Sequence, residues 1–141
     1  MMRVAPLLAA VLVSAAAASA PAVSEAGQSA CAGVSGSPLD GASIAGVSRL
    51  VDRVSTENKK FSFTRVVGAE VVVHADAGMT AEHLERVARC RAAAPTGAEN
   101  DPIVAGSSVR VRARDGAFAL QITSKDPAVA RDIVARAERL R

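Results

Sequence analysis

The chain has 141 residues, with 17 Lys and Arg against 14 Asp and Glu, no Trp or Tyr, and three Phe. A core must therefore be built from Val, Ile, Leu and Ala, and a net charge of +3 spread over interleaved Arg and acidic residues excludes a polycation selected for nucleic acid. The scarcity of aromatics points the same way, since single strands are bound on stacking platforms.

At the start, Met1 and Met2 lead to Arg3, then to an apolar run from Val4 through Val13 and into alanines. One cation, an apolar stretch too short to span a bilayer and a small-residue exit predict a secretory signal peptide over 1–22, not a membrane anchor. Cleavage after Ala20-Pro21-Ala22 keeps small residues at the cut, whereas cleavage after Ala18-Ser19-Ala20 would place Pro21 directly beyond the scissile bond. Loss of Arg3 takes the net charge from +3 to +2, and 141 minus 22 leaves 119 residues, one small domain. The expected location is periplasmic or secreted. Lipidation of Cys31 is disfavoured because Gln28-Ser29-Ala30 is detached from the apolar run.

Residues 23–39 are rich in Ser, Gly, Ala and Pro and read as a flexible tether carrying Cys31, ahead of a single domain over 40–141. Asp40 is placed to cap a helix in which Ile44, Val47, Val51 and Val54 recur at three- and four-residue steps. Phe61 and Phe63 then alternate with Ser62 and Thr64, Gly68 breaks the run, and Val71, Val73 and Ala75 alternate with Glu70, Val72 and His74. That pattern predicts a hairpin turning at Val67-Gly68-Ala69, odd in length or bulged. A helix follows from Thr80 to about Ala93, with Leu84, Val87, Ala88 and Arg91 on its inner side, and 100–106 is a connecting loop. Asp115-Gly116 suits a type I′ turn, and a two-residue loop pairs Arg114 with Ala117, Ala113 with Phe118, Val111 with Leu120 and Val109 with Ile122. Asp126-Pro127 is an N-cap with proline at the first helical position, opening a helix with an Ala130, Ile133, Ala137, Leu140 stripe. The expected fold is α+β: an antiparallel sheet of about four strands with two main helices on one face, a ββα unit used twice.

In an exported protein, Cys31 and Cys90 most simply form one disulfide. His74, His83 and Cys90 admit a metal reading. His83 and Cys90, however, lie two turns and roughly 10 Å apart along one helix, so hydrogen-bonded histidines and a structural cysteine are the plainer interpretation. No cofactor is expected. Arg110, Arg112 and Arg114 project from one strand face and should share an open sheet surface with Glu70, His74 and Gln121. Such a comb suits anionic headgroups, phosphates or acidic segments, or else serves solubility and blocks edge pairing. Serine-nucleophile motifs and phosphate-binding glycine loops do not occur.

The stretches Gly68-Ala-Glu-Val-Val-Val-His74, Ala77-Gly-Met-Thr80 and Leu84-Glu-Arg-Val-Ala-Arg-Cys90 resemble small secreted proteins of unknown function encoded by GC-rich bacteria, over most of Gly68 to Arg141. Where that pattern reads Cys-His, this chain has Cys90-Arg91, which removes a ligand from any metal site the resemblance implies. The Asp115-Gly116 hairpin and its helix are also similar to part of the BON domain, a periplasmic surface-binding module, though no closing strand follows Leu140. Neither resemblance supplies catalytic residues.

The reading is thus of an exported, non-enzymatic binding or accessory module, its partner an envelope protein or an anionic surface. A small metal-handling protein is the alternative, and a hydrolase or thiol enzyme the third class. N-terminal sequencing of the exported product should find Val23 first; intact Met1 recovered from the cytoplasm would contradict the signal peptide.

Overall fold

The structure, a computed structural model, describes residues 31–55, 61–94 and 97–141. The expected signal peptide and its cleavage site lie outside these residues. Four strands, β1 (Ile44–Ser55), β2 (Ser62–His74), β3 (Ser108–Arg114) and β4 (Ala117–Thr123), form one antiparallel sheet in the order β1-β2-β4-β3. Helix α1 (Ala81–Ala93) follows β2 and α2 (Pro127–Glu138) follows β4, so the chain runs ββα twice. Helix α1 packs on β3 while α2 packs mainly on β2. Each half therefore covers the other half's sheet.

The β3–β4 hairpin has the register that its alternation demands, with Arg114 opposite Ala117 and Val109 opposite Ile122, and Gly116 takes a φ of 67° at the turn. Val109, Phe118, Leu120 and Ile122 then join Ala69, Val71 and Val73 of β2 in one core with Leu84 and Ala88 of α1 and Ile133, Val134 and Ala137 of α2. Both helices lie on that face. The Asp126 carboxylate caps α2 by accepting from Ala128 N–H at 2.7 Å, and Thr80 Oγ1 caps α1 by accepting from His83 N–H at 3.2 Å.

Two expectations are corrected. The segment after Asp40 is strand β1, not a helix. Ala45 is an extra residue, since Ile44 faces Val73 and Gly46 faces Val72; the bulge turns both Ile44 and Val47 toward the core although they are three apart. That spacing imitated a helix. Asp40 instead closes a turn, its carboxylate accepting from Ser37 N–H at 2.9 Å. The second correction concerns Gly68, which does not end a strand. Leu50 faces Gly68 and Val51 faces Val66, so Val67 is a bulge inside one continuous β2, whose hairpin partner is β1. The β1–β2 connection falls in 56–60, outside the described residues.

Residues 31–42 form a series of turns, and Leu39 is buried in the core. A disulfide ties Cys31 to Cys90 with their Cα atoms 5.4 Å apart, closing a separation of 59 residues. On the chain-entropy account such a loop contributes about 4 kcal/mol. The inner side of α1 comprises Leu84, Ala88, Cys90 and Arg91, with Val87 half-buried. Arg91 is buried against Asp101, Nε to Oδ2 2.8 Å, and the other Asp101 oxygen accepts from Ile103 N–H at 2.9 Å. This ion pair pins the loop that places Pro102 and Ile103 in the interior.

Gly68 is required by close approach. A Cβ there would lie 2.8 Å from Thr123 Cα and closer still to the Ile122 carbonyl, at the point where β2 meets the end of β4. Gly68→Ala should therefore destabilise the protein by roughly 2–4 kcal/mol in urea unfolding, whereas Gly46→Ala, with open space at its Cβ, should stay within about 1 kcal/mol.

Candidate functional site

With both helices on one face, strand alternation sends the other set of side chains to a face no helix covers. Three cross-sheet rows result from the register: Ser48, Glu70, Gln121 and Arg110; Gly46, Val72, Ala119 and Arg112; and His74, Ala117 and Arg114. The comb expected on β3 is present, and it shares its face with Glu70, His74 and Gln121 as expected. The three arginines are nevertheless inequivalent.

Arg114 is committed. Its guanidinium reaches across β4 to Glu70, Nη2 to Oε1 3.1 Å, and Gln121 Nε2 donates to the same carboxylate at 3.0 Å. Ala117 and Ala119 are small enough to let the arginine pass over them. Glu70 is buried, and its charge is held by these two partners. Arg110 and Arg112 are exposed, and among the described residues neither has an ion-pair partner.

Beside them lies a cleft of about 1020 Å³, formed where β1 and β2 run on past the end of β4. Arg65 from β2, Arg110 from β3 and Lys125 from the β4–α2 connection line it, with Asp52 and Asp126 as the acidic residues. The Asp126 carboxylate is already engaged at the start of α2, and Asp52 faces Arg65 across the hairpin without an ion pair. Arg65 and Lys125 also lack ion-pair partners among the described residues. On the helical side, by contrast, Arg49 pairs with Glu138, Arg89 with Glu85, and Arg136 with Asp132. Arg53, Arg86 and Arg131 also lack ion-pair partners among the described residues; Arg65, Arg110 and Lys125 are set apart because all three line one concavity. Sequence reading missed Arg65 and Lys125 because a supposed turn at Gly68 folded the strand before it back on the Val71–Ala75 strand instead of carrying Arg65 past the end of β4, and because Lys125 reaches the cleft only through the β4–α2 connection.

The residues considered for metal are not brought together. His74 lies on the helix-free face of β2, His83 is exposed on α1 beside Arg86, and Cys90 is oxidised in the disulfide. Among the described residues, no three His, Cys, Asp or Glu side chains form a group able to hold a metal ion. Both sheet edges are occupied by side chains: Glu85 accepts from the outward N–H of Val111 on β3 at 2.9 Å, and Arg141 donates to the outward carbonyl of Val47 on β1. Strand addition at those two points would first have to displace them.

Comparison of the chain with family models, curated proteins and solved structures brings no match in any of the three.

The division of the comb makes separable stability predictions. Arg114→Gln removes the charged partner of a buried carboxylate that keeps one amide donor, and should cost about 1 kcal/mol. Arg110→Gln and Arg112→Gln should each change stability by less than about 0.5 kcal/mol. Urea denaturation of the three single variants, followed by far-UV circular dichroism, measures the difference.

Proposed function

We propose that this protein is an exported, non-enzymatic module that binds an anionic surface through its helix-free sheet face. The observation that carries the reading is the cluster of Arg65, Arg110 and Lys125 around one cleft, with Arg112 two residues along the same strand face, all without ion-pair partners among the described residues. An arginine on a sheet is held on a fixed backbone, and one without a carboxylate partner breaks no existing bond when an anion arrives. The guanidinium fork then offers paired donors to phosphate or carboxylate.

Export is supported by Arg3 with the apolar run behind it and by the Cys31–Cys90 disulfide, which suits an oxidising compartment. The partial likeness of the Asp115-Gly116 hairpin and its helix to a periplasmic surface-binding module agrees with this reading. No described helix is long and apolar enough to cross a membrane.

The test is retention on phosphocellulose at low salt, with variants of equal charge loss. Arg110→Gln/Arg112→Gln should weaken binding on the order of tenfold near 50 mM salt, with the difference closing as salt is raised. Arg86→Gln/Arg131→Gln, which removes two charges from the helices, should elute close to wild type. Equal behaviour of the two double variants would reduce the effect to net charge and reject the site.

A further inference from the structure

We propose that the anionic groups are carried on an extended acidic segment of a partner protein, and that this segment adds as a strand to the edge of β2 that opens into the cleft. This rests on the anion-binding reading above and names the carrier of the charge. Strand β4 pairs with β2 only as far as Thr123 opposite Gly68, and Ser124 N–H then donates to the Val67 carbonyl at 2.9 Å. Beyond that bond, residues 62–66 of β2 pair among the described residues with β1 alone.

Alternation fixes which backbone groups face the open side. Ala75 N–H donates to the Gly116 carbonyl and His74 N–H to the Ser43 carbonyl, so the helix-facing set that runs through Val73 and Val71 turns its polar backbone groups toward β4, and the other set turns toward β1. Past the bulge at Val67, Val66 lies opposite Val51 and Thr64 opposite Arg53, on the side of β1 that carries Val47 to the core and Arg49 to Glu138 of α2. Thr64 and Val66 therefore belong to the helix-facing set, and their N–H and C=O groups point past the end of β4. The cleft lies there: Arg65 and Val67 line it from β2, Thr123 from the end of β4, and Ser124 and Lys125 from the connection to α2.

Such an edge is matched by a group that both donates and accepts along an extended line, which a strand does and an ionised phosphate, an acceptor alone, does not. Charge specifies the strand. On the helix-free face an incoming side chain meets Arg65 and Arg110, with Lys125 near the end of β4. On the helix-facing side it meets Val66 and, one strand further, Val51, which is 60% exposed. Carboxylates alternating with apolar side chains suit both faces. The opposing charge in the cleft is Asp52, because the Asp126 carboxylate is engaged in capping α2. At the outer edges of the sheet the corresponding groups of Val111 and Val47 are already met by Glu85 and Arg141.

Fluorescence polarisation with the labelled peptide Gly-Glu-Val-Glu-Val-Glu-Gly tests the proposal beside the phosphocellulose assay. Wild type should bind the peptide, and the same peptide methylated on every backbone nitrogen, with its charge unchanged, should bind about tenfold more weakly. Hydrogen exchange followed by NMR should find the Thr64 and Val66 amides fast in the protein alone and protected with the peptide. Thr64→Pro removes one outward N–H and leaves the β1 ladder intact, so it should lose about tenfold in peptide binding while keeping its phosphocellulose retention. Binding indifferent to methylation and to Thr64→Pro would reject strand addition and leave the anion site standing, and so would Thr64 and Val66 amides already protected in the protein alone. Wild type retained on phosphocellulose that ignores the peptide but floats with phosphatidylglycerol vesicles would overturn the peptide in favour of a membrane. Loss of phosphocellulose retention in wild type would reject both the anion site and the strand.

Discussion

Everything in this molecule hangs on the antiparallel pairing of β2 with β4, from Gly68 opposite Thr123 to His74 opposite Ala117. Among the described residues it is the only strand pairing that joins the two ββα halves, since β1 pairs with β2 alone and β3 with β4 alone. The same register decides which side chains face the helices. A slip of one residue would send Val71, Val73, Leu120 and Ile122 to water and bring Glu70 and Gln121 into the core. The helices reinforce the seam from above, because α1 reaches across to β3 while α2 returns to β2. Neither half can bury its own apolar strand face with its own helix, so folding of the two is coupled.

Charge follows the same geometry. Where the structure must bury an ion it supplies a partner: Arg91 with Asp101 on the core side, Glu70 with Arg114 and Gln121 on the open side. Breaking the buried Arg91–Asp101 pair by removing one member would leave an isolated charge, which typically costs 3–5 kcal/mol. Arg65, Arg110, Arg112 and Lys125 differ because each stays solvated or lines a cleft, so the fold demands no partner for them. Their stability cost is slight, and an arriving anion has no internal carboxylate to displace.

The bulges at Ala45 and Val67 shape the surface that matters. Each adds a residue to one strand and increases local twist, and the second sits where β2 parts from β4. Beyond that point the hairpin is two-stranded and no helix covers it. A cleft opens between the arm and the ends of β3 and β4, so one backbone irregularity creates both the concavity holding Arg65 and the overhang carrying Phe63.

What the sequence determined by itself is everything governed by local chemistry. Asp115-Gly116 set the β3–β4 turn and, with it, the register of seven residue pairs. Asp126-Pro127 and Thr80 set the helix starts, and the two cysteines of the chain had only each other to pair with in a disulfide. The α+β class and the repeated ββα order were legible from the same signals. Tertiary structure decided the rest, because those features depend on partners distant in the chain. Ile44 to Val54 had helical spacing, yet they became a strand, since β2 offered an unpaired edge and a bulge at Ala45 reconciled a three-residue step with a two-residue pleat. Gly68 looked like a turn because glycine permits one; its actual role, close passage of β2 by the Ile122 carbonyl, exists only once β4 is in place. The comb's division has the same origin: three arginines at identical spacing are equivalent along β3, and only the position of Glu70 two strands away takes one and leaves the others free.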